Sequence, residues 1–411
     1  MTDLQHNAQN MPQNSSRFRV PKLAPESLLA VILLSFLGTA GVFYANILAA
    51  LVSGLVEGLK YTQETAGYVA AANVYGAAFG AFAAVFAVKR VAWKPAAFCS
   101  LLALMAIDLV STQITLSDIL IPVRFGHGLV GGFLVGVAFS VFARTTSPDR
   151  TFGMLLVTQA GIGGTGLMFL PKLVPVYGTS VLFLALFSFS AVTVFMLPFL
   201  SDYPVKNTAT DKPNEGMKNR PEEGTNESKL MLGPLLLALL GIFVFQASNM
   251  GLAAYMIELG KSFGIATDVV STHIGVAHWI AVLGALFVYL VGTKYGRVKP
   301  LLVGFFFTLV GMSILHLSGI APWFLVGNII VSTTWAFLIP YLLGMCAKFD
   351  AAGQMATLSG FCSKMGLASG PMVAAMVVGK GNYDLILNMA IIGIALGALI
   401  VLMPARFLDK A

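Results

Sequence analysis

Residues 117–143 read SDILIPVRFGHGLVGGFLVGVAFSVFA, an apolar run interrupted near its middle by Arg124 and His127. A helix needs about twenty apolar residues to cross the hydrocarbon core of a bilayer, and this run is long enough. An arginine at that depth costs roughly 3 kcal/mol on insertion scales, so it normally has a partner or a task. The stretch therefore predicts a membrane-spanning helix with a functional residue inside it.

Runs of the same kind recur along the whole chain. Predicted spans 1 to 6 are residues 27–53, 63–88, 93–115, 117–143, 152–175 and 178–200, and spans 7 to 12 are residues 231–257, 269–292, 298–318, 321–347, 355–378 and 383–404. Of 411 residues, 57% are hydrophobic and 10% are charged, whereas soluble domains carry about 25% charge. The sequence predicts an all-α membrane protein with twelve transmembrane helices.

The basic residues collect in segments that would share one side of the membrane. Those segments hold Lys89, Arg90, Lys94, Arg144, Arg150, Lys294, Arg297, Lys299, Lys348, Arg406 and Lys410. The opposite loops hold mainly Lys60, Lys261 and Lys380, with Lys172 near that edge. Lysine and arginine near helix ends are retained in the cytoplasm, so both termini are predicted to be cytoplasmic in a cell inner membrane. The excess of basic residues reports loop orientation and predicts no nucleic-acid partner.

One polar segment divides the predicted spans into two sets of six. Residues 201–230 mix both charge signs with Asn, Pro and Gly, which is the composition of a flexible linker. The predicted organisation is a cytoplasmic tail at 1–26, a six-helix half at 27–200, a cytoplasmic linker at 201–230, a six-helix half at 231–404 and a tail at 405–411. No cleaved signal peptide is indicated at the amino terminus.

The two halves match each other at an offset of 205 positions. Lys94-Pro95 then aligns with Lys299-Pro300, Ala72-Asn73 with Ala277-His278, and Gln159-Ala160-Gly161 with Lys364-Met365-Gly366. A constant offset across a whole half indicates a duplicated unit. Parallel six-helix repeats, with the substrate between them near the bilayer midplane, are the architecture of major facilitator transporters.

Two motifs make the chain resemble the major facilitator superfamily from Leu28 to Pro404. Residues 293–299 read TKYGRVK, similar to the family's D-[RK]-x-G-R-x-[RK] loop with its acid replaced. In span 4, Leu120-x-x-x-Arg124-x-x-His127-Gly128 resembles the family's l-x-x-x-R-x-x-q-G pattern, with His127 in the glutamine position. The resemblance implies the family's fold, and the second pattern is associated with its proton-coupled members. The alternative for Arg124 is that its side chain snorkels to the interface and only anchors the helix.

Few ionisable side chains lie at membrane depth, and each is a functional hypothesis because its burial costs free energy. For proton coupling the candidates are Arg124, His127 and Asp108. For substrate binding they are Lys364 and His278, their repeat counterparts Gln159 and Asn73, and the polar residues Gln246, Asn249, Asn328 and Trp335. The resemblance implies that spans 2, 5, 8 and 11 border a central cavity, so the first four substrate candidates are expected to converge there. Alternatives are that His278 is satisfied by a neighbouring helix and that Lys364 pairs with Asp108 or another buried acid.

These residues favour a secondary transporter of a small organic anion, such as a carboxylate, with proton coupling. The alternative is proton-driven efflux of hydrophobic or cationic compounds, which calls for an acid in the cavity. The antiporter pattern g-x-x-x-G-P-x-x-G-G, which the family carries in span 5, is absent there. An enzyme is not predicted, because no catalytic constellation occurs in the loops. No ATP-binding loop, metal site or cofactor is indicated, and the predicted partners are the solute, protons and membrane lipid, for a monomer.

Overall fold

The computed structural model describes residues 21–88, 90–146, 148–204, 232–291, 294–346, 348, 354–379 and 381–410, and within these ranges its regular structure is entirely helical. Most of the predicted linker and the first twenty residues therefore lie outside the described part of the chain. Eleven helices in the described ranges are long and apolar enough to cross a membrane, and together with a broken first segment they correspond to the twelve predicted spans. The predicted fold class is confirmed.

The helix bounds follow the apolar runs closely. In the first half, span 1 comprises Leu28–Ala40, Phe43–Asn46 and Leu48–Leu59, and spans 2 to 6 are Gln63–Ala87, Trp93–Ser111, Ser117–Phe142, Pro148–Tyr177 and Ser180–Met196. In the second half, span 7 comprises Leu232–Ala254 and Met256–Ser262, span 8 comprises Thr267–Ile280 and Val282–Val291, and spans 9 to 12 are Val298–Ile314, Ala321–Cys346, Gln354–Val378 and Tyr383–Lys410.

Span 1 differs most from its prediction. It continues to Leu59, beyond the predicted end at residue 53, and it breaks near Gly41 and again at Ile47. The first break lies where span 1 meets span 4: a Cβ added to Gly41 would sit 2.3 Å from the carbonyl oxygen of Gly131. Glycine on both helices lets the two backbones approach more closely here than a side chain would allow.

Small residues also set the contact between spans 2 and 4. A Cβ on Gly128 would lie 1.9 Å from the Asn73 carbonyl oxygen, and one on Gly132 would lie 2.0 Å from that of Ala77. Glycine at four-residue spacing therefore lets these two helices touch along their backbones. The sequence predicts this packing role for Gly128, Gly132 and Gly136, and the structure confirms it for the first two.

The two ends of the helical bundle differ in how the halves meet. We call the end at Leu200 and Leu232 the linker end and the opposite one the far end. Spans 5 and 8 pack closely on the far-end side, where the backbones of Gly164 and Gly275 touch. Contacts of span 5 with the later part of span 8, Val282–Val291, are sparse. The halves are thus joined at the far end and more separated between these spans towards the linker end.

In each half, an acid on or just after the last span contacts the start of the third span or the residue before it. In the first half, Asp202 pairs with Lys22 and, at 2.7 Å, with Lys94. In the second half, both carboxylate oxygens of Asp409 accept from the Arg297 amide, at 2.8 and 2.9 Å. The acid absent from the family's loop pattern is therefore replaced from another helix. Residue 22 contacts residue 202, and Asp409 contacts Arg297, so the first and last described segments both lie at the linker end, in keeping with an even number of spans.

Candidate functional site

Arg124 is fully buried inside the first half, paired with an acid from span 3. Its Nη1 donates to Asp108 Oδ1 at 2.9 Å, and both side chains are 0% exposed. Its Nη2 donates to the Ser111 hydroxyl and, at 3.3 Å, to the Ile107 carbonyl oxygen. The snorkelling alternative for Arg124 is therefore wrong, because the guanidinium points into the protein and ends on a carboxylate.

His127 lies one helical turn beyond Arg124 and shares the same carboxylate oxygen. Its Nε2 is 3.2 Å from Asp108 Oδ1. The Asn73 amide nitrogen is 3.0 Å from the Arg124 carbonyl oxygen and 2.8 Å from His127 Nδ1. Because the amide donates both of its hydrogens, Nδ1 must accept, and the ring proton sits on Nε2 facing Asp108. This hydrogen-bond assignment makes His127 neutral, beside an ion pair of zero net charge.

The Arg124 cluster, comprising Asn73, Asp108, Ser111, Arg124 and His127, is lined by aromatic rings. The Arg124 guanidinium carbon lies 4.7 Å from the Phe183 ring centre and 5.9 Å from that of Tyr44. Two buried atoms of the cluster, Asp108 Oδ2 and Arg124 Nε, have no hydrogen-bond partner among the described residues. Such orphaned atoms are costly in a dry site, so the cluster retains an unused acceptor next to a neutral imidazole.

The three predicted proton-coupling residues thus come together, and Asn73 joins them. Asn73 is 3% exposed and both of its amide hydrogens are committed within the first half. Its repeat counterpart His278 is partly exposed. The Asn73 amide nitrogen is therefore engaged within the Arg124 cluster, and Asn73 stays a predicted substrate residue. Sequence reasoning missed Ser111, whose position one turn from Asp108 places both on the face of span 3 that meets Arg124.

Lys364 lies in the middle of span 11. It is partly exposed, and it forms no ion pair or hydrogen bond with any described residue. With about 100° between successive helical residues, it points roughly 120° to 180° away from Val373 and Met376, which are exposed on the bundle surface. Lys364 therefore faces the interior. The alternative that it pairs with Asp108 is wrong, since Asp108 is held by Arg124 and His127.

His278 and Gln159 lie on spans 8 and 5, which pack against each other. The indole nitrogen of Trp279, the residue after His278, donates to the Gly161 carbonyl oxygen at 3.1 Å. Gly161 lies two positions after Gln159, so His278 and Gln159 both lie within about one helical turn of this bond. Both are partly exposed and neither is hydrogen-bonded to a described residue.

Gln246 connects three helices of the second half beside Lys364. Its Nε2 donates to the Ser363 hydroxyl at 2.8 Å, and its Oε1 accepts from the Trp335 indole nitrogen at 2.9 Å. Ser363 immediately precedes Lys364, so this chain of bonds fixes the part of span 11 that carries the lysine. Ser363 was not predicted from the sequence, although its neighbour Lys364 already marked this turn of span 11 as part of a candidate site.

Asn249 and Asn328 have a different environment. Each donates its amide to the carbonyl oxygen four residues earlier on its own helix, Phe245 at 3.0 Å and Phe324 at 2.8 Å. Both are buried, at 6% and 4% exposure. These two predicted substrate residues therefore lie in the core of the second half. The described residues also contain no cluster of His, Cys, Asp or Glu that could hold a metal ion.

Comparison with known proteins identifies the fold. The family model described as Major Facilitator Superfamily matches residues 28–375. The crystal structure of nucleoside transporter NupG superposes with a TM-score of 0.66 at 14% identity, covering 93% of this chain and 100% of that one. That of the D-xylose-proton symporter gives 0.65 at 14% identity, covering 91% and 96%. That of the human organic anion transporter MFSD10 (TETRAN) gives 0.61 at 15% identity, covering 90% and 99%. No curated protein sequence matches the chain.

Proposed function

The chain belongs to the Major Facilitator Superfamily, and on that premise we propose that it is a secondary active transporter of a small organic anion, such as a carboxylate, working by alternating access with proton coupling. It would act as a monomer in a cell inner membrane, with both termini cytoplasmic. The observation that supports an anion is the unpaired Lys364 on the interior face of span 11.

Electrostatics explains why this lysine favours an anion. An interior ammonium with no counter-charge is unstable until water or a ligand compensates it. At an effective dielectric constant near 20, a unit negative charge at ~4 Å gains about 4 kcal/mol before its desolvation is subtracted. His278 and Gln159 would complete the site, the former adding positive charge when protonated and the latter an amide donor. Proton binding at His278 would then raise anion affinity.

Efflux of cations is the less favoured function. It requires a carboxylate free to meet a cation, and the two buried acids among the described residues, Asp108 and Glu258, already have partners. Asp108 accepts from Arg124 and His127, and Glu258 accepts from Ser53 at 2.6 Å and Lys261 at 3.0 Å. A cation entering the interior would be repelled by a charged Lys364, and neither of those acids is free to offset that repulsion.

Calorimetric binding to purified protein tests the proposal. A panel of mono- and dicarboxylates is compared with a panel of quaternary ammonium cations to find the preferred ligand class. Lys364→Gln should weaken binding of the preferred carboxylate at least tenfold, whereas Lys364→Arg should retain part of the affinity. Lys299→Gln, the same change at an exposed position, is the matched control. Unchanged affinity in Lys364→Gln, or a preference for cations, would refute the anion site.

A further inference from the structure

Two seams join the halves, and side chains close them over different lengths. Spans 2 and 11 form the first seam, where the Tyr75 and Ser369 hydroxyl oxygens lie 2.8 Å apart. Nearer the linker end, the Phe361 ring centre lies 5.5 Å from that of Phe82 and 6.4 Å from that of Phe79. Side chains therefore close this seam to within about two helical turns of the end of span 2.

The second seam, between spans 5 and 8, closes over a shorter length. Its backbones touch at Gly164, and the bond from Trp279 to the Gly161 carbonyl oxygen follows towards the linker end. Val157 lies about two turns from Gly164 on the same face of span 5, yet it is 48% exposed. Leu286 lies about two turns from Trp279 on nearly the same face of span 8 and is 49% exposed. Contacts between these parts of the two spans are sparse, and we call the gap between Val157 and Leu286 the lateral opening.

The internal repeat shows that the difference between the seams comes from particular residues. At the offset of 205 positions, the counterparts of Phe82 and Phe361 are Phe287 and Leu156. In the first seam the two rings are in contact, whereas in the second one of the two positions has no ring, and its residues are 55% and 41% exposed. The shared fold therefore does not require the lateral opening, which is a feature of the second seam in this sequence.

The lateral opening borders the proposed anion site. Gln159 follows Val157 by two positions, so the two residues differ little in depth. Lys364 is the repeat counterpart of Gln159 and lies at the same depth in the other half. Its ammonium has no partner among the described residues. A cationic group in the interior thus lies at the depth of an apolar gap that opens towards the hydrocarbon of the membrane.

We propose that the transported anion is an amphiphilic carboxylate, such as a medium-chain fatty acid, whose apolar chain occupies the lateral opening. The inference rests on the proposed function, because Lys364 would hold the carboxylate. The chain would then cover the exposed side chains of Val157 and Leu286 and remove its own methylene groups from water. Each buried methylene should strengthen binding about fourfold, which is its transfer free energy expressed as a ratio. A short, fully polar anion would leave the lateral opening unfilled.

A chain-length series tests the ligand class. Affinities of the purified protein for butyrate, hexanoate, octanoate and decanoate are measured by calorimetry, below the concentrations at which these acids form micelles. Affinity should rise about fourfold per methylene from butyrate to octanoate. Leu286→Asn should reduce the ratio of octanoate to butyrate affinity at least tenfold. Leu396→Asn, the same change at a surface leucine of span 12 that is 51% exposed, is the matched control and should keep the wild-type ratio.

The series separates this inference from the anion site itself. Lys364→Gln should weaken binding of every acid in the series by a similar factor. If affinity does not rise with chain length while Lys364→Gln still weakens binding, the apolar chain is refuted and the anion site stands. If no acid in the series binds, both are refuted. A rise with chain length that is the same in Leu286→Asn as in the wild type would overturn the placement of the chain in the lateral opening.

Photo-crosslinking locates the chain directly. Octanoate that carries a diazirine at its terminal carbon should label spans 5 and 8 around Val157 and Leu286, and excess octanoate should suppress the labelling. Lys364→Gln should suppress it as well, because the head group is then released. Labelling of spans 2 and 11 around Phe82 and Phe361 instead would overturn the proposal. Labelling that excess octanoate does not reduce would also overturn it, since membrane lipid would then be what covers the lateral opening.

Discussion

Ser53 and Glu258 stand 205 positions apart in the chain and face each other across the junction of the halves, with 2.6 Å between Oγ and Oε1. The halves repeat at that same offset, so these residues are counterparts. Residues related by a twofold axis meet directly only close to that axis. Spans 1 and 7 therefore lie beside the pseudo-twofold axis at the far end, and the contact supports the internal duplication independently of the helix count.

The first prediction concerns membrane orientation. Reporter fusions after Lys94, Arg150, Lys218 and Lys299 should report the cytoplasm, because positive residues near helix ends are retained there. Fusions near Lys60, Lys261 and Lys380 should report the opposite side. The structure groups residues 22, 94 and 202 at the linker end, so fusions there must agree with one another. A fusion at Lys218 that reported the outer side would contradict the predicted cytoplasmic termini.

The second prediction concerns how the contacts of Asp202 at the linker end respond to low pH. Hydrogen bonds from Lys22 and Lys94 lower the pKa of Asp202 from 3.8 to about 2. A depressed pKa in the folded state stabilises the fold above pH about 4, and this contribution is lost as the pH falls from about 4 to 2. We expect the protection factor of the Leu23 amide, which donates to the Phe199 carbonyl oxygen at 2.9 Å, to fall over that range once the intrinsic pH dependence of exchange is taken into account.

Asp202→Asn should lower the protection factor of the Leu23 amide at neutral pH and remove its decrease at low pH. The loss should not exceed about 1 kcal/mol, because the Asp202 side chain is 67% exposed and surface ion pairs contribute little. Asp268→Asn, an exposed acid at the far end, serves as the control. If the protection factor of the Leu23 amide fell with pH in Asp202→Asn as it does in the wild type, another group would have to hold the amino-terminal segment.

Sequence patterns predicted the helices well because each span is decided by its own apolar length. The broken first span was not predicted, and its first break coincides with a contact of Gly41 with Gly131 on another helix, which depends on how the helices pack. The grouping of Arg124, His127 and Asp108 followed from the cost of burying charge. The environment of Asn73 could not be predicted from the sequence, because an amide at membrane depth can bind a ligand or a neighbouring helix equally well. Only the contact with His127 in the structure distinguishes these two roles.

The third prediction separates Asn73 from the anion site. Asn73→Ala removes the donor that keeps His127 Nδ1 an acceptor, so the imidazole can bind a proton on that atom. We expect the pH dependence of transport to shift while carboxylate affinity, measured by calorimetry, changes less than about threefold. Gln159→Ala, a change in the proposed anion site, should lower carboxylate affinity and leave the pH dependence of transport unchanged. Reversed results for the two variants would restore Asn73 to the substrate site.

The last prediction concerns the buried ion pair. Arg124→Gln alone leaves the Asp108 carboxylate buried without its cation, which costs about 3 to 5 kcal/mol in such pairs. The single variant should therefore be less thermostable as well as inactive in uphill transport, and its inactivity alone would prove nothing about coupling. The double variant Arg124→Gln/Asp108→Asn removes both charges, so it should recover most of the thermal stability.

Transport by the double variant then decides what the Arg124 cluster does. If the cluster couples protons to transport, the stable double variant should equilibrate the solute down its gradient without accumulating it or responding to a proton gradient. His127→Leu, which removes the imidazole and preserves the Arg124–Asp108 pair, should share that defect. Accumulation at the wild-type level and pH dependence in both variants would show that the cluster only holds spans 2, 3 and 4 together. The proton would then have to be carried elsewhere.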